Sequence, residues 1–268
     1  MAKIKGLNNL FYLENKVAIV TGGYGHLGTG ITKILMQFGA KVYVAGRSKT
    51  KFLEKFGEQS EENIIFVEID IMDSKSIESC FESVFEAEGK IDILINNAHS
   101  AKGNSQENMA DNDFLFTLDG VLGSVHKCIK AVLPYMKKNY EGKIINISSM
   151  YGLVSPDFKL YEGDDCEKYT NPPHYGAAKA GVKQLTKYYA VLLAKYNIQV
   201  NAIAPGPFPS LTVQKDNPEF IERLKAKNPM NKIGVPEDLD GSIILLSSKA
   251  SGFITGQTLQ IDGGWTIW

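Results

Sequence analysis

Tyr175 and Lys179, within Tyr175-Gly176-Ala177-Ala178-Lys179, are the residues whose types and spacing most directly point to chemistry. Positions i and i+4 share one helix face, so a phenol and an ammonium there point the same way. A free tyrosine, with a pKa of about 10, is a poor proton donor or acceptor at neutral pH. A neighbouring cation favours the phenolate, so Lys179 is expected to lower the Tyr175 pKa. The spacing alone is weak evidence, because Tyr188 and Tyr189 lie just as near Lys183 and Lys187. Hydroxyls elsewhere add to it: the apolar run Ile144-Ile145-Asn146-Ile147 ends in Ser148-Ser149. In a doubly wound sheet the carboxyl ends of the strands form the ligand crevice.

A second group of residues could hold an anion. Val17-Ala18-Ile19-Val20 runs into Thr21-Gly22-Gly23-Tyr24-Gly25-His26-Leu27-Gly28, and a helical pattern follows. Unpaired N–H groups at a helix start attract a pyrophosphate, and glycines let it approach the backbone. The segment is read as a dinucleotide site, with a plain structural turn as the alternative. His26 fits either a phosphate contact or a turn residue. The second strand ends in Gly46-Arg47, where an acidic residue would favour NAD. A guanidinium matches a 2′-phosphate, so NADP is expected, with NAD possible. An arginine stacked on adenine, or simply solvated, is the alternative.

These groups need strands and helices to position them. Strands are expected at 16–21, 41–45, 64–68, 91–95, 143–147, 198–203 and 258–261, as nearly continuous apolar runs. Helices are expected at 27–38, 74–88, 114–138, 175–196 and 236–248. Alternating strand and helix predicts an α/β, Rossmann-like, doubly wound parallel sheet of about seven strands. The 268 residues form one domain on this reading, residues 1–268. Two stretches break the pattern: the polar, aromatic segment 154–173 and the lobe 206–234, which looks mobile. Both flank Tyr175 and are expected to bind substrate.

Composition sets limits. Lys and Arg total 29 against 30 Asp and Glu, for a net charge of −1, so no nucleic-acid partner is expected. No apolar run approaches the ~20 residues of a membrane span. The N-terminal residues lack a signal-peptide core, so a cytoplasmic protein is expected. Cys80, Cys128 and Cys166 are odd in number and widely spaced, and no cluster has metal-ligand spacing, so no metal is expected. No G-x-S-x-G elbow supports a hydrolase triad around Ser149. His126 and Cys128 read as structural, and His174 as a surface or mouth residue.

Taken together, Thr21, Gly22 and Gly28, then Asp70, Asn96-Asn97-Ala98, Ser149, Tyr175, Lys179, Asn201 with Pro205-Gly206, Pro236-Glu237-Asp238 and Asp262-Gly263-Gly264 resemble the short-chain dehydrogenase/reductase family over residues 13–268. Two positions depart from its pattern: His26 replaces the middle glycine of TGxxxGxG, and His99 replaces the glycine of NNAG. The resemblance implies that Tyr175 transfers the proton, Ser149 binds the substrate oxygen and Lys179 holds the nicotinamide ribose. It places Gly22 to Gly28, Arg47, Asp70, Ile71, Asn97, Ala98, Pro205 and Gly206 against the cofactor. Hydride passes between the nicotinamide and the carbinol or carbonyl carbon. The family's usual helix asparagine has no clean match near Asp119 and Gly120, where a backbone-held water is one substitute.

Ser149 and Tyr175 are 26 positions apart, about twice the usual spacing of the family's short branch. The intervening insertion carries Asp157, Lys159, Tyr161, Glu162, Asp164, Asp165 and Lys168. Such groups suit a polyhydroxylated substrate, because buried hydroxyls need partners. The turn variant, the insertion and the Asp-Gly-Gly-Trp-Thr ending resemble a subgroup linked to bacterial surface-glycan or flagellin-sugar biosynthesis. The expectation is an NAD(P)-dependent alcohol–ketone oxidoreductase acting on a carbohydrate. Alternatives are a cofactor-recycling nucleotide-sugar epimerase or dehydratase, a 3-oxoacyl-type carbonyl reductase, and a non-catalytic binding protein on the same fold. The apolar Trp265-Thr266-Ile267-Trp268 ending points to a homo-oligomer, a dimer or tetramer.

Overall fold

The computed structural model describes residues 10–57, 63–104, 106–162 and 169–268. Asp164, Asp165, Cys166 and Lys168 lie outside these residues. The strands are β1 (Val17–Thr21), β2 (Lys41–Gly46), β3 (Ile64–Glu68), β4 (Ile93–Asn96), β5 (Gly142–Ile147), β6 (Ile198–Pro205) and β7 (Thr258–Ile261). They form one seven-stranded sheet in the order β3-β2-β1-β4-β5-β6-β7, with every pairing parallel. The strand order reverses between β1 and β4, which opens a crevice at their carboxyl ends.

The helices are α1 (His26–Gln37), α2 (Lys49–Phe56), α3 (Ser74–Glu88), α4 (Asp111–Leu118), α5 (Ser124–Asn139), α6 (Pro173–Leu193), α7 (Leu211–Asp216), α8 (Pro218–Lys227) and α9 (Asp240–Ser247). Strand side chains alternate faces, so each strand feeds two cores. Val17 and Ile19 pack with Phe81, Ile129 and Val182 of α3, α5 and α6. Ala18 and Val20 pack with Ile31, Phe52 and Ile243 of α1, α2 and α9. Apolar residues therefore fill both faces, which explains the unbroken hydrophobic runs.

Several elements differ from expectation for identifiable reasons. The short helix α2 is added; its sequence KTKFLEKF is mostly polar, and the Ser48 side chain caps it by accepting the Lys51 N–H. The single helix expected over 114–138 is interrupted by a π-turn at Asp119–Gly123. There the Gly120 carbonyl accepts from the Ser100 N–H at 3.1 Å and from Ser124 Oγ at 2.9 Å, which diverts it from the regular ladder. Helix α6 starts two residues early because Pro173, which lacks an N–H, sits in its first turn. The helix expected from Pro236 opens with a 3-10 turn, Pro236–Leu239, before α9. The lobe at 206–234 contains α7 and α8 rather than a bare loop. At the C-terminus Trp265 is buried, whereas Ile267 and Trp268 are exposed. Among the described residues, no helix is long and apolar enough to cross a membrane, and no cluster could hold a metal ion.

Candidate active site

The tip of β5 and the first turns of α6 are built to meet. Ser148 Oγ donates to the Lys179 carbonyl at 2.9 Å, tying the strand end to the helix. Gly152 lies against the same turn; a Cβ there would stand 2.7 Å from the Lys179 carbonyl carbon. That close approach explains a glycine three residues after Ser149. Ser148 is thereby structural, and Ser149 is left to face the crevice, 8% exposed. Behind them, Asn146 Nδ2 donates to Thr186 Oγ1 at 2.9 Å and Asn96 Nδ2 donates to Asn146 Oδ1 at 2.8 Å, locking β4, β5 and α6 together.

Ser149, Tyr175 and Lys179 converge on one cleft. The Lys179 ammonium donates to the Ile147 carbonyl at 2.7 Å and lies 5.6 Å from the centre of the Tyr175 ring. Burial pushes the Lys179 pKa down to about 8. The Tyr175 pKa is raised by burial, and the facing Ser149 hydroxyl only partly offsets this. This corrects the expectation that Lys179 holds Tyr175 below its ordinary value. The ammonium is directed at Ile147, and removal from water penalises the phenolate more than any neighbour favours it. Tyr175 is therefore a protonated phenol at neutral pH, poised as a donor.

The same cleft, of about 570 Å³, runs to the glycine turn. Gly22, Tyr24, Gly25, His26 and Leu27 line it, as do Arg47 and Ile71. Asn97, Ala98, Pro205 and Gly206 complete that half. Gly25 caps α1 without a side-chain hydrogen bond, so the first N–H groups of the helix are free for an anion. Gly23 and Gly28 stand behind the wall. A Cβ on Gly28 would lie 2.1 Å from the Gly22 carbonyl oxygen, so only glycine lets the turn close onto the helix. Asp70 is also off the wall: its carboxylate accepts the Met72 N–H at 3.0 Å. The Tyr24 ring occupies the space beside Gly46, where a Cβ would approach it to 2.3 Å, and its hydroxyl accepts the Ser48 N–H at 3.2 Å. An acidic side chain at 46 has no room, and Arg47 is exposed beside it. The residues thus fit a nicotinamide dinucleotide.

Other candidates resolve individually. His26 Nε2 donates to the Phe208 carbonyl at 3.1 Å, linking the turn to the 206–234 lobe. His174 is fully buried, not at the surface or mouth, because its Nε2 donates to the Lys102 carbonyl at 2.8 Å. Asp119 pairs with Lys127 at 2.8 Å, and the Gly120 carbonyl already accepts two hydrogen bonds. Neither is left to replace the asparagine. Cys128 is buried, and His126 Nδ1 hydrogen-bonds Tyr189 at 2.9 Å.

The far half of the cleft is aromatic. Tyr151, Tyr161, Tyr169, Phe208 and Phe220 line it; of these, sequence reasoning named only Tyr161, as one of the insertion's hydrogen-bonding groups. Phe220 of α8 lies between Tyr161 at 5.3 Å and Tyr169 at 5.7 Å, joining insertion to lobe. Asn217 Nδ2 donates to the Tyr169 hydroxyl at 2.8 Å, and Lys227 pairs with Asp157 at 3.2 Å. Asp157 is thus engaged outside the cleft, and Lys159 and Glu162 are exposed. His99 also lines the cleft, edge-on to Tyr175.

Comparison with known proteins places this arrangement. A family model described as enoyl-(acyl carrier protein) reductase matches residues 25–266. The 3-oxoacyl-(acyl-carrier-protein) reductase FabG of Thermotoga maritima is 32% identical over 259 residues, covering 95% of this chain and 99% of its own. The 2-dehydro-3-deoxy-D-gluconate 5-dehydrogenase of Formosa agariphila is 34% identical over 262 residues, covering 96% of this chain and 94% of its own. The gluconate 5-dehydrogenase of Burkholderia cenocepacia, solved with NADP and tartrate, superposes with a TM-score of 0.85 at 27% identity, covering 97% of this chain and 98% of that one. The chain belongs to the short-chain dehydrogenase/reductase family and is an oxidoreductase of alcohols and ketones.

Proposed function

We propose that this enzyme is an NADP-dependent reductase or dehydrogenase of a polyhydroxylated carbonyl compound, a sugar or sugar derivative, with Tyr175 as the proton donor and acceptor. One observation carries the reading. Ser149, Tyr175 and Lys179 meet between a glycine turn that fits a dinucleotide and an aromatic pocket rimmed with hydroxyls. Aromatic faces suit the C–H faces of a ring, and phenols and amides suit its hydroxyls.

The dinucleotide supplies or accepts the hydride when bound. In reduction, Ser149 Oγ donates a hydrogen bond to the substrate oxygen and fixes it beside Tyr175. The Tyr175 phenol delivers its proton to that oxygen as negative charge develops there. The buried Lys179 ammonium, held by the Ile147 carbonyl, would hold the ribose of the cofactor, and its charge lies 5.6 Å from the centre of the ring on which the phenolate forms. Tyr24 and Gly46 keep an acid away from the adenosine end, and Arg47 meets a 2′-phosphate. In oxidation each proton moves the other way.

The experiment is a substrate panel with NADPH and NADH: ketoses, sugar nucleotides, simple ketones and a 3-oxoacyl thioester, followed by reduced-nicotinamide absorbance. Turnover of hydroxylated ketones with a preference for NADPH supports the reading. Turnover confined to the thioester assigns an acyl reductase instead. Product formation without net cofactor change assigns a cofactor-recycling epimerase or dehydratase.

A further inference from the structure

His99 stands at a place of consequence that the proton-transfer scheme leaves unused. It follows Ala98 at the carboxyl end of β4, on the wall where the two halves of the cleft join. Its ring meets the Tyr175 ring edge-on, with centroids 6.0 Å apart. The backbone on both sides of it is pinned. Thr21 Oγ1 accepts the Asn97 and Ala98 N–H groups at 3.0 and 3.1 Å. The Ser100 N–H donates to Gly120 at 3.1 Å, and the Lys102 N–H donates to Thr117 Oγ1 at 2.9 Å. The Lys102 carbonyl accepts from the buried His174 at 2.8 Å. This constrained backbone fixes where the imidazole enters the cleft, and the edge of the Tyr175 ring is the side-chain contact beside it.

Among the described residues, nothing hydrogen-bonds the His99 ring, which is open to the cleft. The residue keeps more than a third of its surface accessible through the cleft, but the protein crowded around the ring, and then the nearby Lys179 ammonium, lower its pKa to about 4. The ring is neutral at physiological pH and offers one N–H donor and one lone pair. That complements a hydroxyl rather than a carboxylate. With their centroids 6.0 Å apart, the two polar rings are near enough to serve oxygens on adjacent carbons of one substrate.

We propose that His99 is a specificity-determining residue that hydrogen-bonds an oxygen on the carbon adjacent to the reacting carbonyl, so that the enzyme selects α-hydroxyketones and the corresponding vicinal diols. The proposal rests on the reductase reading above and narrows its substrate class. Where glycine fills this position the wall offers no such partner, so the preference belongs to this chain's own side chain.

The test compares kcat/KM for 2-hydroxycyclohexanone and cyclohexanone with NADPH, in the wild type, His99→Gly and His99→Asn. The wild type should favour the hydroxyketone by about tenfold, equivalent to about 1.4 kcal/mol. That is the scale of one hydrogen bond. In His99→Gly the ratio should fall to within about twofold of one, and His99→Asn should retain part of the preference. An unchanged ratio in His99→Gly overturns the proposal, whatever happens to the absolute rates, because a purely structural role depresses both substrates together. A wild type that reduces neither ketone overturns the underlying reductase reading, and the proposal with it. A wild type that reduces both equally overturns the proposal alone.

Discussion

Lys179 is where stability and catalysis should oppose one another. The residue is 4% exposed, its amine donates to the Ile147 carbonyl, and among the described residues no carboxylate pairs with it. Burial lowers its pKa from 10.5 to about 8. At about 1.4 kcal/mol per pKa unit, keeping it charged below pH 8 costs the fold about 3 kcal/mol. The sign follows from proton counting. The folded-state pKa lies below the unfolded one, so between about pH 8 and 10.5 the unfolded chain holds a proton that the folded protein has released. Wild-type stability from this residue therefore rises with pH across that window, and the penalty is complete below it. Lys179→Met removes the charge and keeps most of the stem. Losing the bond to Ile147 offsets about 1 kcal/mol, so the variant should be about 2 kcal/mol more stable at neutral pH. That corresponds to a Tm rise of about 4–8 °C. The advantage should shrink above about pH 8, vanish near about pH 10, and reverse above it, where the burial penalty is gone and the lost bond to Ile147 leaves the variant up to about 1 kcal/mol less stable. Lys143, also lowered to about 8 by burial, is present in both proteins and cancels in the difference. Scanning calorimetry of the ligand-free proteins across this range measures the effect, and hydride transfer should be lost in the same variant. A variant less stable than wild type at neutral pH, with a gap that does not change with pH, refutes the reasoning.

Three further outcomes are expected. Gly28→Ala drives a methyl toward the Gly22 carbonyl and should cost about 1–3 kcal/mol in stability while weakening NADPH binding, read by calorimetry and fluorescence titration; unaltered binding would remove the glycine turn from the cofactor site. Arg47→Ala should lower kcat/KM for NADPH by about 10–100-fold, the scale of a charge-assisted hydrogen bond, with little change for NADH; equal losses with both cofactors would contradict the 2′-phosphate role. Phe220→Ala removes the ring between Tyr161 and Tyr169 and should raise KM for the carbonyl substrate while leaving NADPH affinity intact; an unchanged KM would place the aromatic wall outside the substrate's reach.

The sheet was legible because strands buried on both faces carry long apolar runs, as in Val17–Thr21 and Ile144–Ile147. The glycine turn and the Tyr175/Lys179 pair were legible because backbone approach and helix spacing restrict residue type. Helix α2 was not, since a short, charged segment has little periodicity and owes its start to the Ser48 cap. The π-turn was hidden because apolar residues continue through it; the Gly120 carbonyl is diverted by Ser100, a contact distant in sequence. The insertion misled in another way. Its charged residues suggested a polar pocket, but Asp157 turns to Lys227 while Tyr161 packs on Phe220. In a segment without regular structure, no pattern announces which side chain faces inward. The direction of the Tyr175 pKa was likewise invisible, because it depends on burial and on where the Lys179 ammonium points.

The most direct test of the central claim is single-turnover hydride transfer by Tyr175→Phe with NADPH and a substrate accepted by the wild type. Loss of the phenolic proton should slow the chemical step by about 10²–10⁴-fold, the usual range for one acid–base group, while NADPH binding stays within a few-fold of wild type. A Tyr175→Phe enzyme that transfers hydride at close to the wild-type rate would contradict the assignment of Tyr175 as the proton donor.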